Sequence, residues 1–432
     1  MKLAAYLNDH RCGEFDDSGG YHFTYDPDWQ HSPTSHPVSF SLPTITQEHR
    51  GKAVEAFLRG LLPDNEQTLR AWGRRFGCSP RRPLELLAHV GADCIGALRF
   101  VPPEQDPEGW LKQSTIDWLT DEELCERIRD LLTSRTDGRQ ETDLGQFSLP
   151  GAQAKTALRF DRTNKRWGIP SGAEPTDHIF KPVLLDYDNQ VWCEHFCLQL
   201  ARAVGMEAVN SQVLNICGND IVVLERYDRA IDDSGTMQRI HQEDVCQALA
   251  VLPEHKYEAA TAARQARGPG VQEMIQLAGE SADPPATEMH WFRAVIFNLL
   301  IGGTDAHAKN YGLVWSTGGQ WHPAPLYDLN SILPWMRPYG TQVDRQKVKL
   351  AMRMGGHYHL DHIQMHHIEA QAKTCGIPSS LAISETTSLA IRVGKTLNQI
   401  NDQLQTEGCP TTFLQRLVDS IADNSRRWES QA

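Results

Sequence analysis

The chain has no long hydrophobic run. Its best stretch, Ala294–Ile301, falls far short of the ~18–20 apolar residues that cross a bilayer, even if Asn298 is ignored. The opening, Met1–Phe15, reaches Asn8, Asp9, His10 and Arg11 without an apolar core, so no secretory signal is expected there. A cytoplasmic protein with no membrane partner is the expectation. Positive charge is also scarce: 42 Lys and Arg face 55 Asp and Glu, for a formal net charge of −13. Gripping nucleic acid needs a basic face to displace counterions, so DNA contact would need a basic partner or a local patch. Ten cysteines occur but no C-x-x-C pair; the closest, Cys193 and Cys197, stand one helical turn apart. Spread from Cys12 to Cys409 among apolar neighbours, they read as free, mostly buried thiols in a reducing compartment. No H-E-x-x-H occurs either. His357, His359, His362, His366 and His367 crowd together, with His362 and His366 expected on one helix face. They read as a solvated surface in preference to a Zn²⁺ site.

What is present divides 432 residues into two or three domains. Residues 1–140 form an N-terminal unit. It contains an alternating stretch Val38–Leu42 and helical patterns at Gly51–Leu61, Leu84–Val90 and Asp121–Thr133. Thr120 and Glu123 suit a capping box for the last helix, with Leu119 and Leu124 as its hydrophobic staple. Ser134–Thr142 is the best linker. Residues 141–228 are strand-rich, with hairpins predicted for Lys155–Phe160 with Arg166–Ile169 and for Val213–Ile216 with Ile221–Leu224. His178–Leu185 reads as extended, and Val191–Val204 as a helix closed by Gly205. From 229 to 432 strand signals fade and helices are predicted at Gln242–Val251, Thr287–Ile301 and Ala382–Gln405. The expected architecture is α+β, with two lobes and a cleft between them.

Four constellations could carry chemistry. Ser148-Leu-Pro-Gly-Ala-Gln-Ala-Lys-Thr156 combines Gly151, which lets backbone N–H groups approach phosphate, with the charge of Lys155. It is not a Walker A loop, since Ala154 stands where that pattern needs Gly, and alone it reads first as a Pro-Gly turn in a hairpin. Gly302-Gly-Thr-Asp305-Ala-His307-Ala-Lys309-Asn310 is more specific. Asp305 and Asn310 stand in the D-x-x-x-x-N relation of phosphotransfer loops, where the Asp handles the hydroxyl proton and the Asn holds Mg²⁺. The bland alternative is a polar loop closing a helix. Third, Pro325-Leu-Tyr327-Asp328-Leu-Asn330 follows a predicted hairpin, Tyr311–Val314 with a turn at Gly318-Gly319, that would return Asp328 beside Asn310 as a second Mg²⁺ ligand, against an Asp that merely caps a turn. Fourth, Lys181 on a strand and Glu194 on the next helix fit a phosphate-bridging Lys and its carboxylate, against an exposed Lys at a sheet edge. Leu224-Glu225-Arg226-Tyr227-Asp228-Arg229 then joins the strand piece to the helical piece. It offers backbone groups to an adenine edge or is a solvated charge cluster.

In order and spacing these segments resemble the HipA family of bacterial toxin kinases. Also matching are Gly60-Leu-Leu-Pro-Asp64, Val90-Gly-Ala-Asp-Cys-Ile-Gly96, Gln242–Gln247 and Lys256-Tyr-Glu258. The resemblance implies a bilobal, protein-kinase-like fold with an extra N-terminal subdomain, and ATP- and Mg²⁺-dependent phosphorylation of Ser or Thr on a protein. It implies that Asp305 is the catalytic carboxylate, that Asn310 and Asp328 hold Mg²⁺, and that Lys181 contacts phosphates. Pro150, Gly151, Ala152, Gln153, Ala154 and Lys155 would cover those phosphates. Glu225, Arg226 and Tyr227 would line the adenine side, with His307, Lys309 and Tyr327 completing the ATP pocket. Ser148 would be the autophosphorylated serine.

A HipB-type helix-turn-helix antitoxin is the implied partner, through which operator DNA is reached, and an aminoacyl-tRNA synthetase is a substrate known for the family. The chain departs from the family pattern at Ala259–Arg267, a longer and more basic loop before Gly268-Pro-Gly270. It departs again at Asn330, where an apolar residue is usual. The rival readings are a nucleotide-binding co-repressor subunit and, more remotely, a Zn²⁺ hydrolase.

Overall fold

Leu3, Ala5 and Leu7 alternate along the strand Lys2–Leu7 and bury the same face, the period-two pattern of a half-covered sheet. In the computed structural model of the chain, residues 1–101, 106, 109, 114–134, 147–151, 153–183, 187–258 and 267–431 are described. The chain divides into two compact units. One holds Met1–Pro182, Leu214–Glu254 and Leu313–Trp321; the other holds Val183–Val213, His255–Gly312 and His322–Ala432.

The first unit contains two main sheets. A five-stranded antiparallel sheet runs in the order Glu48–Arg50, His22–Tyr25, His10–Asp16, Lys2–Leu7, Leu98–Phe100. Phe15, Phe23, Phe57 and Phe100 fill its core together with the helices Lys52–Gly60 and Pro83–Val90. A six-stranded sheet follows in the order Ser211–Ile216, Asn219–Glu225, His178–Pro182, Thr156–Asp161, Arg166–Gly172, Ser114–Trp118. The helix Asp121–Ser134 packs Leu124, Ile128 and Leu131 against it. Its expected capping box is present: Thr120 N–H donates to Glu123 Oε2 at 2.8 Å, and Glu123 N–H donates to Thr120 Oγ1 at 3.2 Å. Both predicted hairpins form, and Gly205, at φ +83°, closes the helix Gln190–Ala203 as expected.

The second unit is mostly helical. Pro284–Ile301, Ser379–Glu407 and Thr411–Glu429 are its long helices. The last two turns of Pro284–Ile301 are buried and, apart from Asn298, apolar. A buried helix end must find partners for its terminal carbonyls. The Asn424 carboxamide supplies them, donating to Leu299 O at 2.9 Å and Leu300 O at 2.7 Å.

Several expectations need correction. Strands persist beyond Tyr227, at Arg229–Ile231, Met237–Arg239, Gln242–Asp244, Gly312–Trp315, Trp321–Pro323, Lys349–Met354 and His357–His359. The predicted helix Gln242–Val251 shrinks to Val245–Ala248, because Asp244 has extended backbone and caps that short helix with Gln247. His362 ends a 3₁₀ turn, Leu360–His362, and His366 lies in the separate helix Met365–Thr374, so the pair does not share a helix face. Among the described residues no group of three His, Cys, Asp or Glu is arranged to hold a metal. Cys125 and Cys217 form a disulfide, with Cα atoms 5.8 Å apart, against the expectation of free thiols; the other eight cysteines are free. Ninety-two positions separate the pair, so packing of helix on sheet, and no spacing motif, brings them together. The expected linker lies, after Ser134, outside the described residues.

The Leu224–Arg229 connector is not a solvated charge cluster. Arg226, Asp228 and Arg229 are buried together with Asp93. Asp93 accepts from Arg229 Nη2 at 2.8 Å, Arg226 Nη1 at 3.2 Å and Thr176 Oγ1 at 2.6 Å. Asp228 accepts from Arg226 Nη2 at 2.7 Å and from Gly96 N–H at 2.6 Å. Burial opposes the ionised form of Asp93, but the guanidiniums of Arg229, Arg226 and Arg239 outweigh it and hold its carboxyl below the usual range. A group held in that way stabilises the fold fully above its unfolded pKa of roughly 3.9, and the contribution is lost as pH falls from there through the lower folded-state pKa. Asp93→Asn should therefore cost about 3–5 kcal/mol at pH 7, since it strands buried guanidiniums. The gap to wild type should narrow below pH ~4. Urea unfolding at pH 7 and at low pH measures both, and equal midpoints at pH 7 would contradict the assignment.

Candidate active site

The loop after the buried helix is built by two glycines. Gly302 turns the chain at φ +69°, and a side chain there would strike Leu333. At Gly303 a Cβ would collide with the Asn298 carboxamide. Only a chain bare of side chains reverses in that space. Thr304–Asn310 then folds back on itself. His307 N–H donates to Asp305 O at 2.8 Å, Asn310 N–H to His307 O at 2.9 Å, and Asn310 Nδ2 to Asp305 O at 3.1 Å. The two ends of the D-x-x-x-x-N motif are thus bonded to each other. His307, Lys309 and Asn310 are buried while Asp305 is exposed to solvent. Asp305 Oδ1 accepts from the Tyr257 hydroxyl at 2.7 Å, and the Tyr257 ring stands edge-on to His307 with centroids 5.0 Å apart. Protein packed around its carboxyl pushes the Asp305 pKa upward. The Tyr257 hydrogen bond pulls it back, the like charge of Asp328 adds to the rise, and Lys256 opposes it.

Asp328 follows the expected hairpin, Gly312–Trp315 with Trp321–Pro323. After it, Leu326 pairs with Ala208: Leu326 N–H donates to Glu207 O at 2.8 Å and Val209 N–H donates to Leu326 O at 3.0 Å. The Tyr327 hydroxyl donates to Lys309 O at 2.8 Å, tying the two segments together. Asp328 itself has φ +57°, a left-handed conformation that a non-glycine residue adopts at a cost of order 1–3 kcal/mol. Asn330, the departure from the family pattern, is half-buried, with its Oδ1 lacking a hydrogen-bond partner.

In the other unit, Lys181 lies on the inner strand His178–Pro182, opposite Val222, and is buried. The alternative of an exposed lysine at a sheet edge does not hold. Glu194 is buried in the helix Gln190–Ala203 of the second unit. The Pro150–Lys155 loop leads into the strand neighbouring that of Lys181. Gly151 has φ +107°, Lys155 Nζ donates to Pro150 O at 2.7 Å, and Gln153 Nε2 donates to Pro182 O at 2.9 Å. Ala152 lies outside the described residues, and Ala154 packs against the apolar cluster of this sheet. Glu225 ends its strand in an ion pair with Arg162 at 2.6 Å, and the Tyr227 hydroxyl donates to Gln242 Oε1 at 2.7 Å. With the Arg226 guanidinium committed to Asp93 and Asp228, only its backbone is left to meet a ligand. Ser148 is fully buried, its Oγ donating to Leu61 O at 2.7 Å.

The donors fit a hard cation. Asn310 spends its amide N–H on Asp305 O, so its carbonyl oxygen would be the atom to meet a cation, and Asp328 would add a carboxylate. Mg²⁺ held by one or two protein oxygens plus substrate phosphates needs no larger cluster. Two structural residues had no role in the sequence reading. Asp93 was only part of a quoted motif, and Tyr257 sat in Lys256-Tyr-Glu258 with nothing to tie it to Asp305, 48 positions away. No spacing rule announces either contact.

Comparison with known proteins identifies the family. Residues 147–403 match the HipA-like C-terminal domain and residues 3–101 the HipA N-terminal domain. A putative kinase of Sinorhizobium fredii, Y4mE, is 30% identical over 96% of this chain and 95% of its own. The serine/threonine-protein kinase toxin HipA of Shewanella oneidensis is 27% identical, covering 93% of this chain and 89% of its own. The solved Shewanella oneidensis complex of HipA, HipB and operator DNA contains a chain that superposes with a TM-score of 0.82 at 25% identity, covering 98% of this chain and 97% of that one. With a D-x-x-x-x-N loop, a tethered Asp328 and matches spanning both parts of the sequence, the chain belongs to the HipA family of protein kinases.

Proposed function

We propose that the protein transfers the terminal phosphoryl group of ATP, with Mg²⁺, to a serine or threonine of a protein substrate, and is the toxin of a toxin–antitoxin pair. The observation that carries this reading is the exposed Asp305 carboxylate on a loop closed by Asn310, with Asp328 tethered beside it through Tyr327 and Lys309. In this reading Asp305 orients the attacking hydroxyl and takes its proton, while Lys181 and the Pro150–Lys155 loop hold the phosphates. Asn310 and Asp328 would hold Mg²⁺, which when bound offsets phosphate charge. His307 and Lys309 stiffen the loop from its buried side, and the backbone of Glu225, Arg226 and Tyr227 meets the adenine.

Ser148 is proposed as a site of self-modification. Its burial means that the segment must leave its place to be phosphorylated. An added charge of about −1.5 to −2 could not return beside Leu61 unpaired, which would withdraw the adjoining phosphate loop. A helix-turn-helix antitoxin of the HipB type is the proposed partner, and operator DNA is reached mainly through it, in keeping with the net charge of −13. The HipA relative solved with HipB and operator DNA supports that assembly. An aminoacyl-tRNA synthetase is the proposed class of target.

Asp305→Asn should lower phosphoryl transfer by at least about 10³-fold and abolish growth arrest, while co-repression with the antitoxin survives. A variant that still arrests growth would remove Asp305 from the chemistry. Incubation of the purified chain with ATP and Mg²⁺, followed by intact mass, should show one added phosphate that Asp305→Asn and Ser148→Ala each abolish. Phosphate retained in Ser148→Ala would place the modification elsewhere.

A further inference from the structure

The segment Lys256-Tyr-Glu258 is fastened to its surroundings at every residue. Lys256 O accepts from Ala308 N–H, inside the catalytic loop, at 3.2 Å. Glu258 N–H donates to Ala351 O at 3.2 Å, and Ala351 N–H donates to Thr304 O, next to Asp305, at 2.9 Å. The buried Glu258 carboxylate accepts from Arg353 N–H at 2.6 Å and pairs with Arg353 Nε at 2.7 Å. It sits so close over Gly270 that any side chain there would collide with it. Tyr257 O accepts from Gly268 N–H at 3.1 Å. The backbone carrying the Tyr257 phenol is therefore fixed on both sides relative to the loop it touches, and its ring is wedged edge-on against buried His307.

From this framework we propose that Tyr257 is a positioning residue for phosphoryl transfer, its hydroxyl holding Asp305 Oδ1 so that Oδ2 is presented to the substrate hydroxyl. The inference rests on the kinase reading of Asp305. A carboxylate on a solvent-exposed loop rotates about its χ angles, and each rotamer that turns Oδ2 away is unproductive. A hydrogen bond of 2.7 Å from a phenol to a carboxylate is charge-assisted, and it fixes one oxygen while leaving the other free to accept. Among the described residues Tyr257 is the side chain that hydrogen-bonds the Asp305 carboxylate. The phenol belongs to the same unit as the loop and is bound to it before any substrate arrives, so the orientation is in place in advance. The proton balance is simple: the phenol keeps its own proton throughout, and the substrate hydroxyl's proton goes to Oδ2 as its oxygen bonds phosphorus and the ADP oxygen departs.

The test is Tyr257→Phe in the full chain, which removes the hydroxyl and keeps the ring against His307. Transfer from radiolabelled ATP to myelin basic protein is measured with Mg²⁺, alongside wild type and Asp305→Asn. The expected result is a kcat lower by about 10- to 100-fold with KM for ATP changed less than about twofold, at an unchanged melting temperature. In the Asp305→Asn background the same substitution should reduce the residual rate by less than about twofold, because the carboxylate it orients is gone. A Tyr257→Phe enzyme with wild-type kcat would overturn the proposal. So would a fall in kcat matched by loss of ATP affinity or of folded protein, or an equal fall in both backgrounds. Wild-type protein that transfers no phosphate would instead remove the kinase reading itself, a result seen without reference to Tyr257.

Discussion

The hydrogen bond from the Asn310 carboxamide to the Asp305 carbonyl closes a six-residue loop, and most of the candidate site depends on that closure. It engages the amide N–H of Asn310 and fixes the stem from which the Asp305 carboxylate projects. The closure is possible because the preceding helix ends in a glycine pair that turns without side chains. It persists because buried neighbours hold the rest of the loop: Ala308 through Lys256, and Lys309 through Tyr327. Polar groups this dense inside a protein are costly unless each is matched. Here the backbone groups of the loop are matched by one another and by the segments beside it, while its one exposed carboxylate meets solvent.

The other unit makes a comparable arrangement around Asp93. Two aspartates and the guanidiniums of Arg226 and Arg229 tie the connector of the strand lobe to the short strand Asp93–Cys94. Such a network adds less to stability than its number of bonds suggests, because the charges were already well solvated in water. What it adds is a defined geometry for Glu225 to Tyr227, the segment proposed to meet the nucleotide base. The strand Asp93–Cys94 therefore has a physical connection to the strand lobe through buried charge.

Local pattern made much of this legible. The capping box at Thr120, the glycine closing the helix before Gly205, both hairpins and the apolar end of Pro284–Ile301 followed from periodicity and turn chemistry that act over a few residues. The errors arose where distant residues decided. Glu243 is drawn into a buried cluster with Ser39 and Trp315, and its strand displaces a predicted helix. Cys125 and Cys217 meet only when a helix docks on a sheet.

By itself the sequence determined which chemistry was available. Asp305, Asn310 and Asp328 at their spacing, behind a glycine pair and a hairpin, are the residues on which the proposed phosphotransfer chemistry rests, and that pattern is local and covalent. Only the tertiary structure decided that Arg226 spends its side chain on Asp93, that Ser148 is shut inside, and that Tyr257 lies against Asp305. Each of those depends on contacts across tens to more than a hundred positions, where burial, and not spacing, selects the partner.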